Sequence, residues 1–563
     1  MKIIRNIFLL VLFIFIAFSV FFPNPFGNNP DIIADESYFL TSSLSAIEKV
    51  TLPGWEFSRS GNYYGGVQTY IDTVALIPVL GIIFMNNGFS VMATKVWVAL
   101  NTGELLHVLR IVNELIALGT LLGCFFYFKK RRIPRQLALI LTLWLFLLLS
   151  NALFIQLLHT AKVWTLYTLI VVVVSAFFIA NEYYLTHLGD SFLPKKTYVA
   201  VLVWSTVLII FQNYYGAISI GLLIIYAVIL HHIKWRDVWE YLKKYWYLIV
   251  IFGLTQISFL YRAVFVNGLT AYFGVSATNS HGNIDWYLRL YKPLEYTIGG
   301  QPLSLLYLVG IMVIVFLAYR NKSFLSASHK RLYMIIACLH PLIIYFIFHV
   351  LIGLSLSPRY GIILTVACCF SAVILLSEIN ETAVKMALVF SSILFLIVNI
   401  HAISLYWQPS SETILLNTIT AKYNSADNIF IEEPSALHLT LPINDKSLLL
   451  LDEKRAGFER FKFLLNNIEQ VRKDVSFRPL TMITYTSEEE EAAISRFKTG
   501  TSTIWMISTD NNRMCSAKEI QAGSCFAVYP EGCDISSQEP NLLPAFLNST
   551  RLGNCYIVRK IFP

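Results

Sequence analysis

Runs of about 20 apolar residues, the length that crosses the hydrocarbon core of a bilayer, recur from Ile4 to about Trp407 and then stop. That repetition restricts the chain more than any other feature. Only 14% of its 563 residues are charged, where soluble domains carry roughly a quarter. The reading is a polytopic α-helical membrane protein of 1–407, followed by a soluble domain of 408–563. Candidate spans are roughly 4–22, 107–128, 136–156, 164–183, 198–213, 217–232, 246–264, 303–319, 332–353, 361–377 and 384–405, eleven in all.

Charge gives the orientation. Sixteen Lys/Arg and 19 Asp/Glu follow Trp407, a net of −3, which leaves 27 and 16, a net of +11, in the membrane part. Basic excess between spans marks cytosolic loops, and no basic patch sits on an independent module of the kind that binds nucleic acid. Lys2 and Arg5 precede the first apolar run, which has no small-x-small cleavage site. It therefore reads as an uncleaved first span rather than a signal peptide. With the N-terminus in the cytosol, "KKRR" (129–132), Lys195-Lys196, "HHIKWRDVWEYLKKYW" and "YRNKSFLSASHKR" all fall inside. An odd number of spans puts the tail outside. Residues 23–106 form one long external loop on this reading, with 68–106, which contains Asp72 and Pro78, lying along the membrane face.

The tail alternates strand-like runs ("NIFIEE", "SLLLLD", "LTMITYT", "STIWMIST", "CYIVRKIF") with helix-like ones ("AGFERFKFLLNNIEQVRK", "SEEEEAAISRFK"). This predicts a small extracytoplasmic α/β domain. It carries no phosphate loop, GxSxG or HExxH. Cys515, Cys525, Cys533 and Cys555 cluster there. In an exported domain they suggest two disulfides, with three possible pairings. Their spacing lacks the CxxC of a zinc site. Cys124, Cys338, Cys368 and Cys369 lie inside spans as small apolar residues.

Four groups of polar residues fall on the external side of this topology. Asp35-Glu36 follow the first span; alone they could be two solvated loop acids. His159 and Lys162 occupy the turn "LLHTAKVW" and could simply end helices. Arg359 and Tyr360 open the span after "LSLSP", as an interfacial anchor pair would. The loop 265–302 mixes Tyr272, His281, Asp285, Trp286, Arg289 and Lys292; that mixture suits a carbohydrate or an interface equally. Taken together, a carboxylate and several cations on one face fit a lipid-linked phosphosugar. Cations hold the departing phosphate, a carboxylate takes the proton of the attacking hydroxyl, and the lipid tail binds between helices.

In order and sidedness these residues resemble the GT-C superfamily of glycosyltransferases, in the branch of protein O-mannosyltransferases and lipid A aminoarabinose transferases. The resemblance rests on "ADESYFL", "NYYGGVQTYIDTVALIP", the Arg110-led "LRIVNELIALGTLLGCFFYFKKRR", "HTAKVW" and Pro358-Arg359-Tyr360. It covers about 1–405 in layout and 23–185 in detail. The chain departs from the branch at Tyr64-Gly65-Gly66, where His-Pro-Pro or Glu-Lys-Pro is common, and the turn at 159–162 lacks an acid found in some members.

The resemblance implies inverting transfer of a sugar from a polyprenyl-phosphate donor to an extracytoplasmic lipid, glycan or protein hydroxyl. It makes Asp35 the general base and Glu36 its helper, through the acceptor or a divalent metal. Arg359 and Lys162 would bind the donor phosphate, and Tyr64, His159 and Tyr360 would line the site. No other cofactor is implied. The expected location is a bacterial plasma membrane. A transporter or flippase of a lipid-linked sugar is the rival reading, but inverted repeats and broken helices with midplane polar groups are not evident. A structural protein displaying the tail is a third.

Overall fold

The computed structural model describes residues 36–53, 66–158, 163–211, 214–230, 232–257, 259, 328–351, 361–379 and 381–406, with 463, 466, 467, 469 and five tail strands. The helices are α1 (Glu36–Lys49), α2 (Val67–Asn86), α3 (Val91–Leu100), α4 (Thr102–Lys130), α5 (Arg135–Leu149), α6 (Ala152–Leu158), α7 (Val163–His187), α8 (Lys195–Ile210), α9 (Tyr214–Ile229), α10 (Trp235–Thr255), α11 (Ser328–Tyr345, continued by a π-helical turn, Phe346–Leu351), α12 (Gly361–Ile379) and α13 (Glu381–Tyr406).

Among the described residues five helices are long and apolar enough to cross a membrane: Val67–Asn86, Gly103–Lys130, Trp164–His187, Gly361–Glu378 and Glu381–Ile400. Their burial divides them. The apolar windows of α7 and α12 are 83% and 89% buried, whereas those of α2, α4 and α13 are only 22%, 28% and 17% buried. The first two therefore form the centre, with α5, α8, α9 and α11 packed around them. On α13 the exposed residues are Met386, Val389, Phe390, Ile393, Leu396, Ile397 and Ile400, an apolar stripe at helical spacing. An outward apolar stripe is what a lipid solvent selects. The protein is a polytopic α-helical membrane protein.

Buried polar contacts stitch the bundle. The Ser150 hydroxyl at the end of α5 donates to the Ser391 carbonyl of α13 at 3.0 Å. Tyr226 of α9 meets His340 Nδ1 of α11 at 3.0 Å. His232 Nε2 lies 2.5 Å from the Glu182 carboxylate of α7, both side chains almost fully buried.

One expectation changes. The single span at 136–156 is two helices, α5 and α6, because the chain turns at Ser150-Asn151 and the Asn151 side chain caps α6 by accepting from Phe154 N–H at 3.0 Å. The helix that carries the span expected at 246–264 begins before it, at Trp235. Its first turns carry charges as well as Trp, and Asp237 there accepts from Lys234 N–H at 2.7 Å. Within the stretch 68–106, read as lying along the membrane face, α2 has the length and composition of a span. The ten-residue α3, about 15 Å long, is too short to cross. The spans expected at 4–22 and 303–319 lie outside the described residues.

The chain divides into two compact units, Met1–Phe21 with Tyr38–Thr73 and Arg110–Ile400, and Phe22–Ser37 with Val74–Leu109 and His401–Pro563. In the second, strands β1 (Asn428–Glu432), β2 (Thr481–Tyr485), β3 (Ile504–Ser508), β4 (Cys525–Ala527) and β5 (Ile557–Ile561) form one sheet of order β2-β1-β3-β5-β4. β1 pairs in parallel with β2 and β3, and β5 runs antiparallel to β3 and β4. Consecutive residues Trp505, Met506 and Ile507 of β3 are all buried, so both faces of that strand are covered. β1, β2, β3 and β5 fall within runs read as strands from the sequence. β4 was not expected, and "SLLLLD" lies outside the described residues. So do Cys515, Cys533, Cys555 and the side chain of Cys525.

Candidate functional site

Helices α1, α2 and α4 meet through polar side chains buried in otherwise apolar surroundings. Gln68 and Thr69 on α2 lie about one turn before Asp72 (positions i, i+1 and i+4), and Arg110 on α4 lies about one turn before Asn113 and Glu114 (positions i, i+3 and i+4). All six are buried, as are Ser42 and Ser43 of α1. Gln68 Nε2 donates to Asp72 Oδ1 at 2.7 Å and to Asn113 Oδ1 at 3.2 Å. The Ser43 hydroxyl donates to the Thr69 carbonyl at 3.2 Å. The pattern on α2 is inverted relative to a helix in water, with Val74, Ile77, Ile82 and Met85 exposed. Two carboxylates and a guanidinium held inside a bundle cost several kcal/mol each in desolvation, before pairing offsets it. Such a cluster contributes fixed geometry more than stability.

Other helix ends come to the same place. Val67 N–H donates to the Phe211 carbonyl just past α8, at 3.3 Å. The Tyr70 hydroxyl donates to the Thr255 carbonyl at the end of α10. Gly66 lies so close to Gln256 and Phe259 that a Cβ there would sit 2.5 Å from Gln256 Oε1, and those side chains would have to shift to admit it. Tyr167 of α7, Ser219 of α9 and Ile362 of α12 line one cleft, so the starts of these three helices are level with one another.

This end of the bundle is the one remote from the basic runs. Lys129-Lys130 close α4, Lys195-Lys196 open α8, and Lys234 precedes α10. From those cations to Arg110, Phe211 and Thr255 the helices run about 24–30 Å, close to the full hydrocarbon thickness.

Most of the residues singled out from the sequence fall outside the described residues: Asp35, Tyr64, His159, Lys162, Arg359 and Tyr360. Glu36 opens α1, but its side chain is not among those described. Of these residues, Lys162 directly precedes α7, Arg359 lies two residues before α12, and Tyr64 three before α2. Sequence reasoning noted Asp72 and Arg110 but missed Gln68, Asn113 and Glu114. The signal was present in "RIVNE", three polar residues on one face of an apolar helix.

No family model matches the chain, and no curated protein does. Among solved structures the chain is similar to the crystal structure of ArnT from Cupriavidus metallidurans bound to undecaprenyl phosphate. The TM-score is 0.40 and the identity 11%, over 99% of this chain and 98% of that one.

Proposed function

We propose that the chain is a membrane glycosyltransferase of the GT-C kind, moving a sugar from a polyprenyl-phosphate donor to an extracytoplasmic hydroxyl with inversion. The observation that carries the reading is the gathering of the starts of α2, α7, α9 and α12 and the ends of α8 and α10 at the bundle end away from the basic runs. By the positive-inside rule the basic ends are cytosolic and the gathered ends external. The stretches leading into three of those starts carry Tyr64, Lys162 and Arg359.

The chemistry asks for two kinds of group. As the bond between the anomeric carbon and the phosphate oxygen breaks, polyprenyl phosphate leaves as an anion; Arg359 and Lys162 stabilise that charge. The acceptor hydroxyl becomes nucleophilic as it loses its proton, which Asp35 takes. Glu36 assists through the acceptor or a divalent metal, and Tyr64, His159 and Tyr360 line the sugar site. A single displacement inverts the anomeric configuration.

The test gives purified protein a panel of polyprenyl-phosphate sugars and measures release of polyprenyl phosphate. Asp35→Asn should abolish release while insertion and thermal unfolding stay normal, and Arg359→Ala should raise the donor KM. Full activity in Asp35→Asn would remove the base. Movement of lipid-linked sugar across vesicles with no glycosidic bond formed would replace the transferase by the flippase reading.

A further inference from the structure

A groove lies at the opposite end of the bundle, in a part of the molecule that the proposed transfer reaction does not use. Between the end of α4, the start of α5 and the middle of α7 the chain encloses a groove of about 700 Å³, within the usual range of about 300–1,000 Å³ for ligand pockets. Its wall is apolar, formed by Cys124, Phe125, Leu141, Leu145 and Val173 among others. Its mouth carries Lys129, Arg132 and Arg135, and none of the described residues that line it is acidic.

The rim is built by the local fold. Lys129 belongs to the last turn of α4, and Arg135 is the first residue of α5. Between them Arg132 has φ +50°. That left-handed conformation follows a helix end and usually falls to glycine, because a side chain there costs about 1–2 kcal/mol. The neighbouring Arg131 points elsewhere: its guanidinium lies 5.6 Å over the Tyr127 ring and donates to the Tyr127 hydroxyl at 3.3 Å. Among the described ion pairs none involves Lys129, Arg132 or Arg135. Glu381, the acid whose field Arg135 feels, is paired to Lys385 at 2.9 Å.

The groove's depth identifies its occupant. It extends from Lys129 back to Leu121 on α4, and from Arg135 to Leu145 on α5. These are 8 and 10 residues, about 12–15 Å, half of the roughly 30 Å hydrocarbon core. A slot one leaflet deep, apolar inside and cationic at its mouth, matches a single phospholipid. Such a slot has room for an acyl chain inside, with an anionic headgroup opposite the three cations.

We propose that this groove, between α4, α5 and α7, binds an anionic phospholipid from the leaflet on the basic side of the protein. A zwitterionic headgroup brings its own cation to a rim whose described lining offers it no acid, the nearby Glu381 being paired to Lys385. Free phosphate would leave the apolar slot unfilled.

The experiment is native mass spectrometry of the detergent-purified full chain, with thermal unfolding in parallel, using phosphatidylglycerol, phosphatidylcholine and inorganic phosphate as probes. Phosphatidylglycerol should be retained in preference to phosphatidylcholine and should raise the unfolding temperature; inorganic phosphate should do neither. Arg132→Gly suits the left-handed backbone and should fold at least as well as the parent. It should lower the preference about fivefold, the worth of one cation near a lipid surface. Lys129→Ala/Arg132→Ala/Arg135→Ala should lower it about a hundredfold, and Cys124→Trp, which fills the slot, should reduce retention of phosphatidylglycerol. Equal retention of the two lipids would mean ordinary surrounding lipid and would overturn the proposal. So would an unchanged preference in Arg132→Gly, or an equal effect from inorganic phosphate.

Discussion

Gln68 is the residue whose replacement tests the buried polar junction most directly. Its side-chain amide donates to Asp72 Oδ1 at 2.7 Å and to Asn113 Oδ1 at 3.2 Å, and all three residues are buried. Gln68→Leu keeps most of the volume and deletes both donors. The bond to Asn113 joins two helices; interhelical hydrogen bonds in a bilayer average about 0.6 kcal/mol and reach about 1.7. The shorter bond, to a carboxylate, is charge-assisted, and such bonds contribute about 1.5–3 kcal/mol. The expected loss is therefore about 2–5 kcal/mol, and the carboxylate contact supplies the larger share. Unfolding of the purified variant in mild detergent measures the total, and a double-mutant cycle with Asn113→Leu isolates the interhelical part. A Gln68→Leu variant within about 0.5 kcal/mol of the parent, the range of neutral surface changes, would refute the reasoning. So would a cycle with no coupling.

Two further outcomes follow from the geometry. Gly66→Ala puts a methyl inside van der Waals contact of the Phe259 ring and 2.5 Å from Gln256 Oε1, so overpacking should cost about 1–3 kcal/mol; thermal unfolding checks this, and Phe259→Ala in the same chain should recover part of the loss. The Lys195 ammonium, 2.6 Å from Asp237, holds that carboxyl below its ordinary range, aided by Lys234 N–H and opposed by partial burial. Because the folded value is depressed, the stabilisation is present above the unfolded carboxylate value of about 4 and is lost as pH falls through the folded one. Asp237→Asn should therefore cost less than about 1 kcal/mol at neutral pH, since the pair is solvent-screened, and should flatten the acid limb of a stability-against-pH curve.

The membrane helices were legible because lipid demands long apolar runs, and those at 107–128, 164–183, 361–377 and 384–405 all fall within observed helices. Hydropathy averaged over a window missed the break at Ser150-Asn151, where one side chain accepting one N–H divides α5 from α6. It missed β4, whose three residues are too few to show a period. The expected chemical groups lie in connecting stretches, where no periodicity operates, and their reading rests on order and sidedness alone. The junction of Gln68 with Asn113 was missed for another reason: its partners are 45 residues apart in sequence.

Yet that junction was readable in principle. In water a polar stripe on a helix faces solvent and says nothing about partners. In lipid the same stripe must turn inward, because an unpaired polar group in hydrocarbon costs several kcal/mol. Gln68, Thr69 and Asp72 form one such stripe, and Arg110, Asn113 and Glu114 form another. Each needs a polar surface to face, and the bond from Gln68 to Asn113 joins the two. Glu182 and His232 obey the same logic at the basic end of the bundle, where they pair at 2.5 Å. In a membrane chain, then, the polar residues of apolar helices carry contact information, and two stripes of matching length point to a helix pair from the order of the residues alone.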